Sequence, residues 1–115
     1  MQNERTAAID SRFKIGWAVM VFLAAVSAAG HLALMFMETE PVLFLGWLIF
    51  NLYALVVLWF PFRSSERWAW YSTWLFAIPY ASLIFFDSQV GLYYLFIAGI
   101  FAVCLLLTRP EFFQD

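Results

Sequence analysis

Four long stretches without Asp, Glu, Lys or Arg occupy most of this chain: approximately Ile15 to Met37, Val42 to Phe60, Trp68 to Phe86 and Val90 to Leu107. A helix of about 20 apolar residues crosses the ~30 Å hydrocarbon core of a bilayer. In that core every backbone N–H and C=O must find its partner within the protein, which leaves helices or closed barrels. A barrel needs strict alternation along strands of about 10 residues. Runs such as LYALVVLWF and FAVCLLL are apolar all round, so the reading is helical. Composition agrees: 65% of the 115 residues are hydrophobic and 12% are charged, where a soluble domain carries about a quarter charged.

The connections ETEP, PFRSSER and DSQ are short, so successive helices run antiparallel and little chain remains for a soluble domain. The expected fold is all-α and integral to a membrane: an antiparallel bundle of four transmembrane helices (15–37, 42–60, 68–86, 90–107) in a single domain, 1–115. Arg5, Arg12 and Lys14 before an apolar run that contains AAVSAAG have the outline of a signal peptide. A signal core, however, is 7 to 15 residues long, and this run continues to Met37, so it is expected to be retained as the first helix.

All six basic residues fall on one side of this layout. Arg5, Arg12 and Lys14 precede helix one, Arg63 and Arg67 lie in the second connection, and Arg109 follows helix four. Glu38, Glu40 and Asp87 occupy the other side. The positive-inside rule then puts both termini in the cytoplasm, in a cytoplasmic or inner membrane. The basic residues are too sparse for a nucleic-acid partner. The single Cys104 excludes an internal disulfide.

Trp17, Trp59, Trp68 and Trp70 near one face, with Trp47, Tyr93 and Tyr94 toward the other, match the aromatic belts of membrane proteins. Ala24/Ala28, Ala25/Ala29 and Ala98/Ala102 have the spacing that brings membrane helices close together. In the second connection, Pro61 is expected to stop helix two and Ser64 or Ser65 to cap helix three. Glu66 falls in the first turn, and Arg63 and Arg67 are expected to meet lipid phosphates or pair with Glu66. Pro79 is expected to kink helix three.

His31, the only histidine, stands inside the first apolar run. At 100° per residue it shares a face with Ala24, Ser27, Ala28, Met35 and Glu38, the face that carries small residues. An ionisable side chain at membrane depth is costly and by default a functional candidate. Counting 1.5 Å per residue, His31 lies about 10 Å below Glu38, Asn51 roughly 13 Å below Val42 and Tyr80 about 10 Å below Asp87. The expected ligand site is a pocket with His31, Asn51 and Tyr80 as its polar floor and Glu38 and Asp87 at its mouth. A purely structural role, with His31 and Asn51 fixing helix register, is the competing expectation.

One histidine and no intramembrane carboxylate fall short of the ligands that zinc sites use, so no metal is expected. No cofactor motif occurs either. Three functions fit these residues. The first is binding of a lipid or hydrophobic small molecule in an aromatic-lined intramembrane pocket, as an accessory subunit or in a larger membrane complex. The second is transport by a homo-oligomer. The third is an enzyme acting on a lipid-like substrate, with His31 as its catalytic acid or base.

Overall fold

The computed structural model describes residues 2–37 and 39–113, with side chains from Asp10 onward. Four α-helices follow in order. α1 spans Gln2–Met37, α2 Pro41–Val57, α3 Arg67–Ser82 and α4 Ser88–Phe112. No strand occurs among the described residues. α1 packs along both α2 and α4, α4 packs along α3, and α2 and α3 touch least, so the bundle is open along that seam. The molecule is long and narrow, 57 × 26 × 19 Å, as expected when one helix of 36 residues rises about 54 Å.

α1, α2 with its terminal turn, and α4 contain stretches long and apolar enough to cross a membrane: Asp10–Met37, Pro41–Phe62 and Ser88–Phe112. α3 has only 16 residues, ending at Ser82, after which the chain tightens into a 3-10 turn at Leu83–Phe85. The third span read from the sequence, 68–86, therefore differs from the other three. Pro79 lies one turn before this tightening, and the Ser82 hydroxyl donates to the Pro79 carbonyl at 2.7 Å.

Pro61 does not stop the second helix. It has no N–H to return to the Val57 carbonyl, and at this point the helix widens into a π turn, Leu58–Phe62. The Leu58 carbonyl accepts the Trp17 indole N–H at 2.7 Å, which fastens α1 to the turn. Nor do Ser64 and Ser65 cap α3. Ser65 takes a left-handed φ of 60°, which carries the chain past it, and Glu66 stands at the cap position without a side-chain bond to the helix.

The helices are fastened at the basic end by a triplet of rings. Phe13 of α1 stacks on Phe62 at 5.8 Å, and Phe112 of α4 meets both, at 4.7 Å from Phe62 and 5.7 Å from Phe13. Arg67 donates from Nε to the Phe112 carbonyl at 3.1 Å and so satisfies a C-terminal carbonyl of α4. Trp70 is buried rather than part of a belt, and its indole donates to the Leu105 carbonyl at 2.9 Å, joining α3 to α4.

Close approach falls on fewer small residues than the spacing offers. Ala24 and Ala28 are buried, while Ala25 and Ala29 are exposed. Two glycines matter more. A Cβ on Gly16 would stand 2.8 Å from the Thr108 methyl and 3.1 Å from the Cys104 carbonyl oxygen. A Cβ on Gly91 would reach 2.3 Å from the Ile84 Cα, where the 3-10 turn lies against α4.

Much of the surface is apolar. Phe22, Phe36, Leu52, Val56, Leu75, Ile78, Phe96 and Val103 all project outward. Among the described residues the buried polar side chains, in contrast, are His31, Asn51, Thr73 and Thr108. Each threonine hydroxyl returns to its own helix, Thr73 to the Ala69 carbonyl at 2.7 Å and Thr108 to the Cys104 carbonyl at 2.9 Å. Among the described residues no buried side-chain nitrogen or oxygen lacks a partner. This distribution reverses that of a bundle folded by water, whose apolar stripe faces inward.

Candidate functional site

One chain of side-chain hydrogen bonds crosses the bundle and takes one residue from each helix. His31 of α1 bonds through Nδ1 to Asn51 Oδ1 of α2 at 2.6 Å, and through Nε2 to the Tyr94 hydroxyl of α4 at 3.1 Å. Asn51 Nδ2 donates to the Tyr80 hydroxyl of α3. His31, Asn51 and Tyr80 are at most 3% exposed, and Tyr94 is half-buried.

The polarity of the chain follows from the inventory of donors. An amide oxygen can only accept, so His31 Nδ1 carries a hydrogen in this arrangement. In the neutral ring Nε2 then holds the lone pair and accepts from the Tyr94 O–H. The bonds run in one sense, from Tyr94 through His31 and Asn51 to Tyr80. Asn51 also sets a limit on chemistry. An amide N–H donates well but does not hand its proton on without conversion to the imidic acid, so the chain orients groups better than it relays protons.

Rings hold this chain in place. Trp47 stacks on His31 at 5.8 Å and on Tyr80 at 5.6 Å, each with planes 16° apart. Tyr80 and Tyr94 stack at 5.2 Å. Phe50 stands edge-on to both Trp47 and Tyr80, at 5.8 and 5.9 Å. Offset and edge-to-face pairs of this kind add about 0.5–1.5 kcal/mol each beyond the burial of their area. The imidazole is therefore fixed both in its plane, by bonds, and across it, by stacking.

Two recesses flank the cluster. Between α1 and α4 a cleft of about 190 Å³ is lined by Ser27, Gly30, His31, Tyr93 and Tyr94, with Val26 and Leu34 beside them. A Cβ on Gly30 would meet nothing within 4 Å, so the glycine leaves this cleft open. Along the α2–α3 seam runs a wider groove of about 500 Å³, lined by Gly46, Ile49, Phe50, Tyr53, Ser72, Leu75 and Phe76. The first recess has polar groups on its floor, whereas the second is almost wholly apolar.

Of the residues singled out from the sequence, His31, Asn51 and Tyr80 are bonded together. Asp87 is not among them: its Oδ1 accepts from the backbone N–H groups of Gln89 and Val90, at 3.0 and 3.1 Å, and so caps α4. Glu38 lies outside the described residues. Depth counting also had the means to find Tyr94, which lies seven residues after Asp87 as Tyr80 lies seven before it. Its place near a helix end points instead to the aromatic belt. Trp47 escaped for the same reason.

Comparison with protein-family models, with curated proteins and with solved structures finds no match to this chain.

Proposed function

We propose that this chain is an integral membrane protein whose four helices all span the bilayer, with both termini cytoplasmic, and that it binds a lipid or hydrophobic small molecule. The outward apolar side chains need a hydrocarbon solvent. α3 and its 3-10 turn together rise about 30 Å, enough for a fourth crossing. The second connection and the end of α4 carry Arg63, Arg67 and Arg109, while the opposite connections carry none.

The binding site is the α1–α4 cleft, and the single observation that carries it is the open space at Gly30 beside the half-buried member of the polar chain, Tyr94. A pocket of about 150 Å³ already holds a benzene-sized molecule. The ligand places a hydroxyl that donates to the Tyr94 oxygen or a carbonyl that accepts from the Ser27 hydroxyl, and lays its apolar part along Val26 and Leu34 toward the lipid. Asn51 favours this reading over proton-coupled transport through the polar chain, because it interrupts the path from His31 to Tyr80.

Gly30→Leu tests the assignment. The new side chain enters the cleft without touching the packed core, so the folded protein is expected to melt within a few degrees of the original. Native mass spectrometry of gently extracted protein is expected to show a retained molecule on the original chain and none on the variant. Equal retention by both, or bulk lipid alone on the original, contradicts the site.

A further inference from the structure

At the basic end, Arg63 and Glu66 face the same concavity without pairing. The recess, about 630 Å³, is lined by Trp59, Phe60, Arg63, Ser64, Glu66 and Trp68. Among the described residues the ion pair formed is Lys14 with Asp10 at 3.1 Å, and none joins Arg63 to Glu66. Each charge is instead held by an indole. The Arg63 guanidinium lies 5.2 Å from the Trp59 ring centroid and 5.5 Å from that of Trp17. The Glu66 carboxylate accepts the Trp68 indole N–H. Opposite charges three residues apart that stay separate in one recess present two contacts to a third party.

We infer that this recess binds the headgroup of a zwitterionic phospholipid, a phosphodiester carrying an ammonium. The phosphate meets Arg63, whose stacking leaves guanidinium edges free for bonding. Ser64 lines the same recess. The ammonium meets Glu66 and the ring of Trp68, since indole attracts cations through its ring quadrupole. Trp59, Phe60 and Trp68 are exposed by 46%, 64% and 52%, and supply the apolar shoulder on which acyl chains lie. An anionic headgroup without an ammonium would satisfy Arg63 and be repelled by Glu66. The assignment rests on the membrane reading above, and its test separates the two.

The test is native mass spectrometry of protein purified from the membrane fraction and offered equimolar phosphatidylethanolamine and phosphatidylglycerol with identical acyl chains. The original chain is expected to prefer phosphatidylethanolamine about fivefold, near the upper limit for an exposed charge pair. Glu66→Gln keeps an acceptor for the Trp68 indole and removes only the charge, so it is expected to abolish the preference. Arg63→Gln is expected to weaken both lipids together and leave their ratio unchanged. An unchanged ratio in Glu66→Gln, or indifference to Arg63→Gln, overturns the assignment while leaving the membrane reading intact. Recovery of the chain from the soluble fraction overturns both.

Discussion

Gly91→Ala is expected to be the most damaging single methyl group in this chain. The added Cβ would stand 2.3 Å from the Ile84 Cα, 2.8 Å from the Ile84 N and 3.0 Å from the Leu83 carbonyl carbon. All three atoms are backbone, so no rotamer change makes room, and the 3-10 turn must lift off α4. The expected cost is about 3 kcal/mol, the upper end for overpacking. Reversible unfolding in mixed micelles measures it. Gly46→Ala and Gly99→Ala are the controls, because a Cβ at either position meets nothing within 4 Å. Both are expected to be neutral or to stabilise their helices by up to about 1 kcal/mol, the usual preference of a helix for alanine over glycine.

Asn51→Leu is expected to cost about 2–4 kcal/mol, because it strands two buried partners at once. The His31 Nδ1–H loses its acceptor and the Tyr80 hydroxyl loses its donor, and an unsatisfied buried group costs about 1–3 kcal/mol. That exceeds the ~0.6 kcal/mol average for a single interhelical hydrogen bond in membrane proteins. The difference arises because the Trp47 and Tyr94 rings packed against His31 leave its ring little freedom to find a new partner. A double-mutant cycle with His31→Leu checks the mechanism. The paired variant removes the stranded donor, so its cost is expected to fall short of the sum of the single costs by at least 1 kcal/mol. Additive costs would mean that His31 and Asn51 do not act as a unit.

These two sites differ in how far they are legible in the sequence. His31, Asn51 and Tyr80 can be placed in one layer by counting, since rise per residue is fixed in a helix and the helix ends are marked by charged residues. Counting gives depth and not direction, so it cannot say which neighbour each side chain meets. Only packing made Tyr94 the second partner of His31 and turned Trp47 inward from the position of a belt residue. Gly91 is legible as a small residue, but the atom it must accommodate belongs to a 3-10 turn that no periodicity marks. The π turn at Pro61 is a similar case. Proline signals a break in the hydrogen-bond ladder, and whether the helix ends or widens depends on what takes up the freed geometry, here the Trp17 indole on the Leu58 carbonyl. The guanidiniums show the same limit in part. Trp59 under Arg63 and Phe113 under Arg109 are neighbours four residues away, but the Trp17 ring at Arg63 and the Phe113 ring at Arg67 come from distant parts of the chain.

The helical class, in contrast, follows almost wholly from composition and run length. Uncharged stretches this long leave few alternatives, and the four helices appear near the expected places. Two of them extend beyond the apolar runs, α1 by starting at Gln2 and α4 by continuing through Pro110 to Phe112, while α3 stops short at Ser82.

The central claim is that a hydrophobic molecule rests in the α1–α4 cleft against Tyr94, the group that bonds His31 Nε2. His31 is the only histidine, so its two ring nitrogens give the only imidazole ¹⁵N signals and need no further assignment. The direct measurement is the ¹⁵N spectrum of that ring in protein extracted with its native lipids, compared with the same protein after exhaustive delipidation. The expected result is a neutral ring protonated at Nδ1 in both samples, with the Nε2 resonance moving on delipidation and the Nδ1 resonance, anchored to Asn51, holding still. Superimposable Nε2 signals would contradict occupancy of the cleft, and a ring protonated at Nε2 alone would contradict the hydrogen-bond chain on which the site is built.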